Sequence, residues 1–197
     1  MQSMNVLKKI YPLPNNNNYS NLSYDMEGLW SITHPYEANI ISNNIIILLD
    51  NHNMKKDSII DMTAGCGGNT LSFIKYFNNV TAVEMNEDRF KILQGNIKSY
   101  DINNIELICG DSINNINNKY DVFFIDPPWG GPDYKKYNNI TLMLSNIMLI
   151  DIINMIPINK MIVLKLPFNY DTGEILCKYK LLLKLEIKNF LIYYIVN

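Results

Sequence analysis

The chain is poor in the features that mark several common protein classes. Its 197 residues include three cysteines, Cys66, Cys109 and Cys177, widely spaced and odd in number. No CxxC pair suggests zinc and no framework suggests disulfides, so a reduced, intracellular protein is expected, cytoplasmic or nuclear, with no metal site. Positive charge is scarce. Seventeen Lys and Arg stand against nineteen Asp and Glu, giving a net charge of −2 and a pI of about 5.7. Phosphate neutralisation drives binding to long stretches of nucleic acid, so this balance argues against an extensive duplex-binding surface. It leaves room for a local basic patch or a short ligand. Long apolar runs are missing too. Those at 45–49 and 147–156 fall short of the ~20 residues of a membrane span. The opening MQSMNVLKKIYPLPNNNN has no apolar core of a signal peptide.

What is present describes a globular protein. Hydrophobic residues make up 48% and charged residues 18%, an ordinary balance for a folded chain. The length fits one domain. Residues 1–26 are polar and irregular, with Pro12, Pro14 and four consecutive Asn, and read as a flexible arm; residues 27–197 read as a single domain. Asn and Ile are frequent, a bias found in AT-rich genomes such as those of some viruses and protists.

From residue 35 the chain alternates between patterns. Residues 35–50 carry apolar positions at near-helical spacing behind Pro35. Strands are predicted at 58–62, 80–84, 105–109, 121–125 and 161–166. Helices are predicted at 70–77, 87–100 and 142–156. Two strand-like runs, 181–187 and 190–196, are split by Lys188-Asn189, as in a hairpin. Strands alternating with helices imply an α/β fold with a mainly parallel sheet, closed here by an antiparallel edge.

The first strand runs into Asp61-Met-Thr-Ala64-Gly65-Cys-Gly67-Gly68-Asn69-Thr70. Ligands of open α/β sheets sit beyond the carboxyl ends of the strands, and glycines there let the backbone approach a ligand closely. The GK[ST] ending of a Walker loop is absent. The second strand ends in Glu84, 17 positions beyond Gly67, where a carboxylate can accept two hydrogen bonds from a ribose diol. Both NAD and S-adenosylmethionine offer that diol. Asp111, closing the third strand, can accept from an adenine amino group.

The fourth strand separates these two. It ends in Asp126-Pro127-Pro128-Trp129-Gly-Gly-Pro132-Asp-Tyr134. Two prolines remove two backbone donors and stiffen the turn. Asp126 and the Pro127 carbonyl form an acceptor pair for the two hydrogens of an exocyclic amine. Held so, the nitrogen lone pair points at an incoming methyl, and the carboxylate stabilises the charge that develops. Trp129 offers a flat face to a base, worth ~1–3 kcal/mol. A dehydrogenase needs no such turn. Asp126, Pro127 and Trp129 are therefore the candidate catalytic residues.

An Asp-Pro-Pro-aromatic turn resembles that of amino-methyltransferases with the class I S-adenosylmethionine fold. The longer set is narrower. Glu27-Gly28-Leu-Trp30-Ser31-Ile-Thr33, the Asp61–Thr70 turn, Cys109-Gly110-Asp111 and Pro127-Pro128-Trp129-Gly-Gly-Pro132-Asp-Tyr134 resemble the trimethylguanosine synthase family, which methylates the N2 amine of 7-methylguanosine caps. The resemblance implies a Rossmann-like class I fold with a mostly parallel seven-stranded sheet, a C-terminal antiparallel hairpin and helices on both faces. It implies S-adenosylmethionine as cofactor, held by Thr33, Asp61, Ala64, Gly65, Gly67, Asn69, Glu84, Asp111 and Asp126. It implies a cap site of Ser31, Asn96, Pro128, Trp129, Pro132 and Tyr134, with capped RNA as partner. A monomer with no membrane partner is expected. Stacking of the cationic base on Trp129 adds a cation–π gain of ~1–2 kcal/mol.

The family carries Ser where this chain has Asp126, and Pro directly after Ser-x-Thr where this chain has His34. Asp126 keeps an adenine-N6 methyltransferase open as the alternative enzyme. A non-catalytic cap-binding module is the alternative outside enzymes. His34 reads as a loop residue rather than a catalyst.

Overall fold

The computed structural model describes residues 2–196. The sheet is built from the apolar runs that the sequence offers. Its strands are β1 (Ser58–Asp61), β2 (Asn79–Glu84), β3 (Ile105–Cys109), β4 (Val122–Ile125), β5 and β6 (Met143–Leu144 and Ile147–Met148, a separate hairpin), β7 (Met161–Leu166), β8 (Lys180–Ile187) and β9 (Phe190–Val196). The seven-stranded order is β3-β2-β1-β4-β7-β9-β8. Strands β3, β2, β1, β4 and β7 run parallel, while β9 pairs antiparallel with both β7 and β8. The predicted class, a mostly parallel seven-stranded sheet closed by an antiparallel hairpin with helices on both faces, is what forms.

Central strands are apolar at successive positions because both faces are covered. Ile59, Val122, Phe124, Met161 and Val163 pack with Ile41, Ile45 and Leu49 of one helix, α3 (Pro35–Asn51). Their neighbours Ile60, Phe123, Ile125, Ile162 and Leu164 face the other way, onto Leu149, Ile152 and Ile153 of α6 (Leu149–Met155). Each such fully buried side chain contributes about 1.5–3 kcal/mol. Among the described residues no helix is long and apolar enough to cross a membrane.

Three expectations need correction. The flexible arm is packed instead. It forms α1 (Met4–Ile10), and Leu7, Ile10, Tyr11 and Leu22 are buried against Leu93, Ile97 and Tyr100 around α5 (Glu87–Lys98). Composition hid this because a few apolar anchors sit among many Asn. The chain then enters α2 (Met26–Ser31), capped by Asp25, whose carboxylate accepts from the Gly28 N–H at 2.6 Å. The helix expected at 142–156 begins only at Leu149. Ser145 and Asn146 adopt positive φ (53° and 63°) and turn the β5–β6 hairpin before it, a conformation that Asn tolerates. The helix after the Gly-rich turn, α4 (Thr70–Phe73), is a single turn, and α7 (Gly173–Lys178) precedes β8.

Candidate active site

The strand order reverses between β1 and β4, and the turns after these two strands meet there, the place where open α/β sheets bind ligands. After β1, Gly65 (φ 55°) and Gly67 (φ 100°) take left-handed conformations open to glycine. A side chain at Gly65 would meet nothing within 4 Å, so that side of the loop is open. Gly68 has a different task. A Cβ there would lie 2.7 Å from the Thr33 carbonyl, so its absence lets the segment after α2 press on the loop.

The acidic residues expected at the strand ends gather around this opening. Glu84 is buried, and its carboxylate accepts from Gly65 N at 2.9 Å and Asn86 N at 2.8 Å. Asp61 is buried, accepting from the Thr70 hydroxyl at 2.6 Å and Thr63 N at 3.2 Å. Burial pushes its carboxyl up to about 7; the hydrogen bonds oppose that, and the nearby Asp126 and Glu84 add to it. Asp111 caps the short turn that follows, accepting from Ile113 N at 3.0 Å. Thr33 Oγ1 accepts from Asn69 Nδ2 at 2.9 Å, which leaves Asn69 Oδ1 buried without a partner. An orphaned buried acceptor costs free energy unless a ligand supplies a donor.

The acceptor turn is fastened to this loop. Asp126 N donates to Thr63 Oγ1 at 2.8 Å. Parallel pairing of Ile125 with Leu164 sets Asp126 beside Lys165, and the carboxylate Oδ2 meets the Lys165 ammonium at 2.6 Å. Burial pushes the Asp126 carboxyl up, against the pull of Lys165. The Trp129 indole N–H lies near enough to favour the charged carboxylate yet outside hydrogen-bond geometry, so it too is a buried polar group without a partner. Tyr134 meets the Trp129 ring edge-on at 5.2 Å. Pro127 is buried, while Pro128 and Pro132 are exposed beside it.

Sequence reasoning missed Thr63, Arg89 and Lys165. Lys165 carried a signal, a lone charge inside the apolar run of β7. Arg89 bridges Asp25 (2.9 Å) and Glu27 and lies 3.8 Å from Glu84, which ties α2 to the β2 end. It carried no local signal, because its two hydrogen-bonded partners are 64 and 62 positions away.

Ser31 is exposed; its hydroxyl bonds back to Glu27 O, and its carbonyl accepts from Lys165. Asn96 departs from the expected cap contact. It is fully buried, and its amide is consumed by Tyr11 Oη, Ser23 N and O, and Cys66 O at 2.8–2.9 Å. It staples the N-terminal segment to α5. His34 begins α3, its backbone N–H donating to Glu37.

The model of the RNA cap guanine-N2 methyltransferase family matches residues 56–195. An uncharacterised protein of Acanthamoeba polyphaga mimivirus, L320, is 35% identical over 191 residues, covering 84% of this chain and 75% of the relative. The trimethylguanosine synthase of Schizosaccharomyces pombe is 28% identical over 193 residues, covering 89% and 78%. Among solved structures, an rRNA methylase from Streptococcus thermophilus superposes with a TM-score of 0.50 at 14% identity, covering 84% of this chain and 98% of that one. The Escherichia coli protein yhhF gives 0.60 at 14%, covering 89% and 91%.

Proposed function

The chain belongs to the RNA cap guanine-N2 methyltransferase family, and from that premise we propose that it methylates the exocyclic N2 amine of a 7-methylguanosine RNA cap. The product is a dimethylguanosine cap, and a second round gives trimethylguanosine. The class I methyltransferase fold implies S-adenosylmethionine as the donor. The open side of Gly65, the orphaned Asn69 Oδ1 and the carboxylates of Glu84 and Asp111 fit that group. Glu84 would take the ribose hydroxyls, Asp111 the adenine amine, and Asn69 Oδ1 with Asp61 the cationic amino-acid end. When bound, the donor supplies an electrophilic methyl on a sulfonium.

The remaining work falls to the turn after β4. Asp126 Oδ1, the carboxylate oxygen that Lys165 does not hold, and the Pro127 carbonyl take the two amine hydrogens and turn the lone pair outward. Trp129 stacks on the base. The amine nitrogen would gain the methyl and a positive charge as the methyl–sulfur bond breaks, leaving the neutral thioether S-adenosylhomocysteine, and would then release one proton to Asp126 or water; the cationic nitrogen is acidic enough to need no stronger base. One mimivirus relative supports a viral protein working inside a host cell.

The observation that carries this reading is the Asp126–Trp129 turn held against the Gly-rich loop by the Thr63 hydrogen bond. The test is methyl incorporation from labelled donor into 7-methylguanosine triphosphate, GTP and adenine-containing RNA. Incorporation into the first alone is expected. Preference for adenine would replace the cap reading with an N6 one, which Asp126 permits.

A further inference from the structure

Lys165 is the most unusual charge in the molecule. It is 4% exposed, in a strand whose other residues are all apolar and buried. Its ammonium meets Asp126 Oδ2 at 2.6 Å and the Ser31 carbonyl at 3.3 Å. It also lies 5.3 Å from the Trp129 ring centroid and 4.9 Å from that of Phe190, within cation–π range of both. A buried ion pair is weak as a source of stability, since apolar residues of similar volume do as well. Its placement points to the reaction instead. Four contacts join three segments: the end of α2, the acceptor turn, and β9 next to β7.

We infer that Lys165 is a positioning residue for methyl transfer: it grips one oxygen of Asp126, so that the other is presented, as a carboxylate, to the target amine beside Trp129. This rests on the amine-methyltransferase reading of the site. Among the charged groups around Asp126, Lys165 favours its ionisation, while the Asp126 charge itself pushes up the Asp61 carboxyl at the end of β1. Phe190 from β9 and Ser31 from α2 bring no charge.

The test compares Lys165→Met, Lys165→Arg, Asp126→Asn and the double variant Lys165→Met/Asp126→Asn. Lys165→Met is expected to lower kcat about 10²-fold, the loss typical of a reacting group misplaced by an ångström, with KM for 7-methylguanosine triphosphate changed only a few-fold. The acid limb of its kcat profile should move upward by about one pH unit or more, because burial then acts on Asp126 without its partner. Lys165→Arg should restore the limb. The double variant should be no slower than Asp126→Asn alone. A Lys165→Met enzyme with an unmoved limb, or a double variant slowed by the product of the two single losses, overturns the inference.

Should Lys165→Met fail to fold, the Asn pair still decides, since Asp126→Asn leaves no carboxylate to position: Lys165→Met/Asp126→Asn must then match it. A carboxyl carbon NMR titration of Asp126 in the wild type and Lys165→Arg needs no substrate. If the wild type methylates no cap, the proposed function falls while that titration still judges Lys165: Asp126 charged at neutral pH in both is expected, and Asp126 uncharged there in both sinks the inference by itself.

Discussion

Asn96→Ala separates a base contact from a structural staple. Asn96 is wholly buried, and one amide serves Tyr11 Oη, both backbone groups of Ser23 and the Cys66 carbonyl. Truncation leaves Ser23 N–H without its partner and Cys66 O with only the longer Tyr11 Oη contact at 3.4 Å. Ser23 O is spared, because Tyr11 Oη already donates to it at 2.7 Å. Each buried group left unpaired costs about 1–3 kcal/mol, and the part-buried setting of Ser23 admits some water. A net loss of about 2–4 kcal/mol is expected, which for a chain of this length lowers Tm by about 4–16 °C. The assay is thermal and urea unfolding of both proteins, paired with KM for 7-methylguanosine triphosphate below the transition. KM should stay within a few-fold. A Tm within about 1 °C of wild type together with a tenfold rise in KM would refute the staple and return Asn96 to the cap site.

Trp129→Ala is expected to abolish methylation of 7-methylguanosine while labelled donor still binds; retained turnover would remove the stacking role. Asp61 gives a pH signature. Its carboxyl is raised to about 7 in the folded chain from an ordinary value of 3.8, so between these values the folded state binds more protons than the unfolded. Its contribution is full below about 4 and is lost as pH rises through about 7. Asp61→Asn should flatten that part of the stability profile, read from urea midpoints at pH 4 to 8 in the absence of donor. Gly68→Ala should cost about 1–3 kcal/mol by overpacking and weaken donor binding, since its Cβ would strike Ile32 and Thr33; equilibrium dialysis and unfolding together check it.

The sheet was legible because its strands are short apolar runs with turn chemistry between them, and both faces of the parallel part are covered. The acceptor turn was legible because Asp-Pro-Pro-Trp is contiguous. What escaped depends on distance in sequence. Arg89 gains its meaning from Asp25 and Glu27, which only the folded path of the N-terminal segment brings near. Tyr11 and Leu22 look like stray apolar residues in an Asn-rich stretch, yet they fill the seam beside α5. The resemblance put Asn96 in the cap site. Its side chain was claimed by Tyr11 and Ser23, and no local pattern reveals that. The hairpin at 143–148 competed with a helical pattern, and two left-handed residues decided it.

Register has a consequence for insertions and deletions. Asp126 and Lys165 face each other only because β4 and β7 run side by side with Ile125 against Leu164. Side chains alternate along a strand, so one residue added within Val122–Ile125 would swing the carboxylate toward the α6 side and strand the ammonium. The exposed stretch at 135–139 faces no such constraint. A library of single-residue indels should therefore show a sharp boundary, with activity lost at every position in the two strands and retained along that stretch.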